Sequence, residues 1–343
     1  MSDFAKLKSY IQLATVLFSI FINFISILLV IFYSPAKLGN YKYLMIYFSI
    51  ISIIYAILDF IVQPYIYSYG ATFAMFMDTR DSVLENYPAV TFLLTSSLTG
   101  CFGLTVYSIA INFVYRFFAL ERQGRLKYFA GKKFVLWICI PIIFGVIWVV
   151  NNCIMLRPTP EMTEYLRYRI QEVYDLDIDK TSYTGCMYWR VDETGSLHLS
   201  IKDMLGALGL NQLLMIPFVT IVYFGSKSYK KIREIVSQGE SEYSRKLQMQ
   251  LYKALVAQTL IPMIFLFFPI GMIFTCPLIG VDFEWASVLI TFLYSFYPVV
   301  DPLPTMIFVD NYRIVIINGF RRVLPGNSQI SPVTPYEPSV EAA

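Results

Sequence analysis

Three ionisable side chains, Asp59, Arg116 and Asp301, stand inside otherwise apolar stretches of this sequence. A charge placed in the hydrocarbon of a bilayer costs about 2.5–3.5 kcal/mol on insertion scales, so each requires a reason. Asp59 is followed by Gln63 and Pro64, and Arg116 lies in Phe113-Val-Tyr-Arg-Phe117. Asp301 lies in Tyr297-Pro-Val-Val-Asp-Pro-Leu-Pro-Thr305, where Pro302 and its neighbours free backbone carbonyls and make a hinge. The chemistry open to these residues is ion pairing, hydrogen bonding and switching. Acid–base or nucleophilic catalysis needs grouped titratable residues, and these are isolated along the chain, so an enzyme is not expected. His198 is the single histidine, which excludes a multi-His metal site by counting. The cysteines (Cys101, Cys139, Cys153, Cys186, Cys276) are too few and too scattered for a disulfide scaffold. No metal or cofactor is called for.

The elements that must position these residues follow from composition. The 343 residues are 57% apolar and 15% charged, against roughly 45–50% and about 25% in soluble domains. A soluble fold would expose large apolar patches. Disorder is excluded by the same figures, and nucleic-acid binding by a net charge of only +3. A membrane-spanning helix needs about 20 mostly apolar residues, and seven stretches reach that length. They run roughly from Tyr10 to Tyr33, Tyr43 to Tyr65, Ala89 to Val114, Phe134 to Met155, Met204 to Gly225, Tyr252 to Cys276 and Trp285 to Val309. The runs are continuous rather than alternating, which favours helices over barrel strands.

Lys and Arg set the orientation. The segments after spans one, three, five and seven hold 18 of them, and the N-terminus with the other segments holds 9. Basic residues stay on the cytoplasmic side, so the N-terminus is outside and the C-terminus inside, although Lys6 and Lys8 argue weakly the other way. The first apolar run is longer than a signal-peptide core and reads as an anchor. Seven helices in this orientation are the layout of a G-protein-coupled receptor. No internal repeat suggests a transporter and no charged ring a pore. A ligand-gated cation channel of the inverted seven-helix odorant-receptor type is the alternative, and the side on which the N-terminus lies separates the two.

In this layout Arg116 ends span three on the cytoplasmic side. It is either a boundary arginine reaching the headgroups or the arginine that rhodopsin-like receptors use to engage a G protein. Tyr115 precedes it where an acid is usual, so the resting salt bridge of that motif cannot form. Asp59 should lie in the outer half of the bundle, where ligand contact and pairing with a polar neighbour are equally open. Ser96, Asn152, Asn211 and Tyr294 are further pocket candidates, each also able to serve as a helix–helix hydrogen bond. Pro262 kinks span six. With 28 Phe and 26 Tyr, a pocket here would be aromatic and suit a small, weakly polar ligand.

Residues 157–203 form the one long outer loop. It carries a helical stretch (Glu161 to Tyr174), an acidic run (Asp175, Asp177, Asp179) and a hairpin-like stretch from Tyr183 to Leu199 turning near Glu193-Thr-Gly195. The acidic run lacks the glycine and closing glutamate of an EF-hand and reads as a solvated turn. Ser226 to Lys253 looks like extensions of spans five and six joined near Gly239. The receptor domain covers residues 1–323, and the proline-rich tail 324–343 is expected to be disordered.

The chain resembles the nematode seven-helix chemoreceptors of the Str (serpentine receptor) family, with the diacetyl-type odorant receptor nearest in pattern. The resemblance rests on Gly39-Asn-Tyr-Lys-Tyr-Leu-Met45, Phe48-Ser-Ile, Ile54-Tyr-Ala56 and Phe113-Val-Tyr-Arg-Phe-Phe-Ala119. It continues in Lys253-Ala-Leu-Val-Ala-Gln-Thr-Leu-Ile-Pro262, Tyr297-Pro-Val-Val-Asp-Pro-Leu303, Tyr312-Arg313 and His198-Leu-Ser-Ile-Lys-Asp-Met-Leu-Gly206. It implies an olfactory receptor in the ciliary membrane of a chemosensory neuron, binding a volatile odorant and signalling through a heterotrimeric G protein. By that analogy Arg116 couples and Asp301-Pro302 switches. His198, in the outer loop just before span five, is open to either surface hydrogen bonding or a lid-like ligand contact. Asn112 stands where the diacetyl-type receptor has a histidine, which argues for a different odorant. The outer-end cysteine common to helix three of rhodopsin-like receptors is absent, leaving Cys153 or Cys276 as partners open to Cys186.

Overall fold

The computed structural model describes residues 3–35, 38–80, 82–121, 125–191, 195–237, 242–281 and 284–323. The tail 324–343, the join near Gly239 and most of the expected turn at Glu193 lie outside the described residues. Among these residues, five helices are long and apolar enough to cross a membrane unbroken. They are α1 (Asp3–Tyr33), α2 (Tyr41–Val62), α3 (Pro88–Glu121), α4 (Lys132–Met155) and, after a further outer helix α5 (Pro160–Tyr174), α6 (Ile201–Ser237). The last two spans cross in pieces, broken where Pro262 and Pro302 stand. Span six is α7 (Glu242–Pro262), a π-turn (Met263–Phe267) and α8 (Phe268–Thr275). Span seven is α9 (Glu284–Val300) and α10 (Leu303–Phe308), separated at Asp301-Pro302. An amphipathic α11 (Asp310–Val323) follows on the cytoplasmic side.

Proline chemistry explains these breaks and how a bilayer tolerates them. A proline removes one N–H and frees the carbonyl four residues earlier, which in lipid must find another donor. Pro298 frees the Tyr294 carbonyl, and the Tyr55 hydroxyl of α2 donates to it at 3.3 Å. Pro302 frees the Pro298 carbonyl, and Asn23 Nδ2 of α1 donates to it at 2.9 Å. Span seven is thus bent where neighbouring helices supply the missing donors.

The long α3 forms the axis of the bundle and is buried along most of its length. Helix α4 buries only a stripe, Pro141, Gly145, Trp148 and Asn152, and its other faces are left for lipid. The two helices approach closely at glycines. A Cβ on Gly103 would lie 2.8 Å from the Trp148 ring, and one on Gly100 would lie 3.0 Å from the Gly145 carbonyl. Small residues at such crossings let packing replace the hydrophobic effect, which is absent between helices in lipid.

The outer face carries a feature absent from the sequence reading, a three-stranded antiparallel sheet. Strands β1 (Tyr65–Tyr69) and β2 (Thr72–Asp78) form a hairpin after span two, turning at Gly70 with φ 52°. Strand β3 (Thr181–Met187), from the long outer loop, adds to β2 with Phe73 opposite Cys186. Ile66, Phe73, Met75, Met77 and Cys186 pack on the bundle core. The alternating set, including Tyr65, Tyr67, Phe76 and Tyr183, packs with Met162, Leu166, Ile170 and Tyr174 of α5. Both faces are therefore buried. The free edge of β1 is covered as well: Thr291 and Ser287 of α9 accept its Ile66 and Ser68 N–H groups at 3.0 and 3.1 Å. The expected hairpin survives only as the short pair β4 (Trp189–Val191) and β5 (Leu197–Leu199), because Thr181–Met187 joins the other sheet.

Candidate functional site

Beneath the sheet lies a cavity of about 60 Å³. Ile66, Phe73, Met75 and Thr184 form its roof, and Thr99, Phe102, Trp148, Asn152, Leu210, Ile270, Ile273 and Tyr294 its walls. One water needs about 10–15 Å³, so the space suits a compact molecule of a few heavy atoms. Mostly apolar and aromatic walls with a few convergent polar groups are what small-molecule sites are made of. Asn152 Nδ2 donates to Thr99 Oγ1 at 2.6 Å, and the Thr184 hydroxyl donates to Asn152 Oδ1 at 3.5 Å and to the Leu156 carbonyl at 3.1 Å. The protein thereby engages both ends of the Asn152 amide. The indole N–H of Trp148 has no hydrogen-bond partner among the described residues, although the side chain is buried.

Of the sequence-predicted ligand residues, the structure brings Asn152 and Tyr294 to this cavity. Tyr294 also donates from its hydroxyl to the Leu98 carbonyl at 3.3 Å. The others lie elsewhere. Ser96 is fully buried in α3, its hydroxyl without a hydrogen-bond partner among the described residues, and lies outside the lining. Asn211 donates back to the Ala207 carbonyl of its own helix at 3.1 Å. His198 is exposed on β5 opposite Arg190, outside the cavity lining. Asn112 lies deeper, in a separate cavity with Asp301.

Asp59 is buried at the outer end of α2, against Ser295 and within electrostatic reach of Lys8. By charge count alone Lys8 is a weak topology signal. It lies instead inside the bundle, 1% exposed, with Nζ 2.5 Å from the Gln63 carbonyl and 3.5 Å above the Tyr65 ring. The nearby acid supplies the counter-charge that a buried ammonium needs.

No disulfide tethers the outer loop: all five thiols are free, and burial pushes the Cys186 thiol well above its ordinary pKa. Neither Cys153 nor Cys276 is its partner. The β2–β3 ladder holds the loop to the bundle, with Tyr67 and Arg169 both bonded to Glu284 at the start of α9.

At the cytoplasmic end Arg116 is only 3% exposed. Its Nη2 donates to Gln248 Oε1 at 2.7 Å and to the Gln248 carbonyl at 3.3 Å, joining span three to span six. Tyr115 stacks on Tyr41 with centroids 5.2 Å apart, and the Arg116 guanidinium lies 5.2 Å from the same Tyr41 ring. The partner absent from position 115 is thus supplied by a neutral amide in span six. Pro262 ends α7 at the π-turn, and Gln258, one turn earlier, donates to the Asp301 carbonyl at 2.9 Å. The two proline breaks are therefore joined directly. Span six is further held to α11 by Gln250 and Lys246, which reach Asp310 at 2.6 and 3.1 Å.

A seven-helix membrane protein with a small-molecule cavity under its outer cap and a closed arginine contact at its inner end has the anatomy of a receptor. The chain matches the family described as serpentine type 7TM GPCR chemoreceptor Str over residues 8–317, and it belongs to that family. Among curated relatives it is 30% identical to G-protein coupled receptor str-217 of Caenorhabditis elegans over 87% of this chain and 85% of the relative. It is 32% identical to serpentine receptor class r-10 of the same organism over 82% of each. The relative str-33 is 24% identical over 82% of this chain and 81% of its own length. The protein is a multi-pass membrane receptor of a chemosensory family, not an enzyme.

Proposed function

We propose that this receptor binds a small volatile odorant in the cavity beneath the sheet and activates a heterotrimeric G protein from the ciliary membrane of a chemosensory neuron. The observation that carries the reading is the cavity: about 60 Å³, walled by aromatic and aliphatic side chains and roofed by a sheet. A ligand of that size and polarity is an odorant rather than a peptide or a charged transmitter. Binding shifts the population toward the form it fits better, in proportion to its differential affinity. At the inner end that form releases Arg116 from Gln248 and presents it with the basic ends of spans five and six.

A panel of volatiles applied to cells expressing the chain, read by calcium imaging, tests this. At least one small volatile should evoke a response, and Leu210→Trp should fill the cavity and abolish that response at unchanged surface expression. An unaffected dose–response in Leu210→Trp would remove the cavity from the mechanism.

A further inference from the structure

A groove of about 870 Å³ opens on the outer rim of the bundle, lined by α3, α4 and the start of β3. Its floor is apolar, with Ala89, Phe92 and Leu93 of α3 and Cys153 of α4, and its rim carries charged side chains, among them Arg157 and Lys180. Leu93 is exposed on α3, so the mouth meets lipid as well as water. The groove and the cavity beneath the sheet are lined by neighbouring residues of the same elements. On α4, Cys153 and Arg157 line the groove while Asn152 and Leu156 line the cavity. On β3, Ser182 and Thr184 share one face; the first lines the groove and the second the cavity. Two residues of strand span about 7 Å. Asn152, Leu156 and Thr184 therefore form the partition between the two spaces. The Gly185 N–H donates to the Leu156 carbonyl at 3.1 Å and fixes β3 on α4, whereas Thr184 meets Asn152 at 3.5 Å, near the limit of a hydrogen bond. Other sides of the cap are bonded to the helices. Tyr188 and Trp189 donate to the Phe274 and Leu278 carbonyls at 2.8 and 2.9 Å, and Arg190 reaches Asp203 of α6 at 2.8 Å.

We propose that this groove is the entry vestibule for the ligand: a small, weakly polar molecule gathers on its apolar floor from water or the outer leaflet and passes between α3, α4 and β3 into the cavity. The inference rests on the reading of that cavity as the ligand site. Apolar surface half-open to water takes up such molecules by the hydrophobic effect. Passage needs the Thr184 and Asn152 side chains to part, and it leaves the β2–β3 ladder and the Gly185 bond to α4 in place. The cap therefore admits ligand without opening. A passage speeds entry and exit alike, so it sets how fast the site fills and not how tightly.

The test is thiol labelling of the purified full-length receptor by methyl methanethiolsulfonate, which adds one small methylthio group and needs no odorant. Ile270→Cys places a reporter thiol in the cavity wall on α8, away from the partition, and Leu210→Cys on α6 replaces it if that variant fails to fold. Peptide mass reads the label at that position. Labelling should slow roughly tenfold or more when Ser182→Trp or Cys153→Trp plugs the groove, from β3 or from α4, and keep its rate in Leu278→Trp on the rim beside span six. Unchanged rates in both plugged variants would overturn the route and leave the cavity standing as the ligand site. A rate slowed by Leu278→Trp alone would overturn it too, by moving entry to span six. A reporter that never reacts would count against route and cavity together. In cells that respond to a volatile, Ser182→Trp should delay onset at an unchanged half-maximal dose. A displaced dose with normal onset would make Ser182 a ligand contact and end its place in a passage.

Discussion

The outer and inner ends of this bundle are closed in different ways. The outer end is closed by backbone: two antiparallel ladders, a sheet buried on both faces, and an edge strand capped by hydroxyls of α9. The inner end is closed by side chains, with Arg116 on Gln248 and Asp310 on Gln250, Lys246 and Arg313. A ladder opens only with many bonds at once, whereas a side-chain contact is released one rotamer at a time. The difference assigns persistence to the ligand end and release to the coupling end.

The comparison is broken most severely in the cap. Phe76 is fully buried between the sheet and α5, in a part of the molecule that faces water, so the hydrophobic effect applies in full. Phe76→Ala should cost about 3–5 kcal/mol. The outer loop should become sensitive to protease on intact cells, and surface expression should fall. A protease-resistant loop would show that the ladders alone hold the cap.

At the inner end the same size of change should alter signalling and leave the fold standing. Arg116→Ala should abolish ligand-evoked signalling while surface expression persists, and normal signalling would end the coupling assignment. Gln248→Ala acts in the opposite sense. Removing a hydrogen bond to a charged group costs about 1.5–3 kcal/mol, here charged to the closed form, so basal signalling should rise roughly tenfold or more. Unchanged basal activity would make the Arg116 contact incidental to the resting state.

Asp59 sharpens the boundary between cavity and scaffold. It faces Ser295 and Lys8 rather than the cavity lining. Asp59→Asn should leave odorant potency unchanged and lower Tm, because Lys8 then lacks its counter-charge. A displaced dose–response at wild-type Tm would return Asp59 to the binding site.

The spans, the outer helix and the inner-end arginine were legible because lipid imposes length and composition on a sequence. The sheet was not. Tyr65-Ile-Tyr-Ser-Tyr69 and Thr72 to Met77 are buried on both faces, so they lack the alternation that marks a strand, and only Tyr65 of β1 fell within the expected span two. Breaks in spans six and seven were signalled by Pro262 and Pro302, but their extent depended on donors such as Asn23 and Tyr55 on other helices. Within the site, Asn152 and Tyr294 stood out as polar groups in apolar runs. Trp148 did not, since one aromatic among so many carries no signal. Gln248 lay beyond the expected start of span six at Tyr252. Asn112 and Asp301 were each singled out, yet their shared cavity depends on how α3 and span seven rotate against each other, which spacing does not encode.

The mildest test of the outer end is acid. On the cap's surface, hydrogen bonds from Arg167 hold the Asp179 carboxyl below its ordinary range, with Arg167 Nη2 3.1 Å from Oδ1. An acid depressed in the folded state stabilises it above its unfolded pKa, about 3.9, and loses that contribution as pH falls through the folded value. Cap stability, read by protease resistance of the outer loop, should therefore be flat from neutral pH down to about 4 and decline only below it. Asp179→Asn should remove part of that decline and change little at neutral pH, because exposed pairs contribute modestly and are screened by salt. A cap that loosened near pH 6 would point to a titrating group other than this pair.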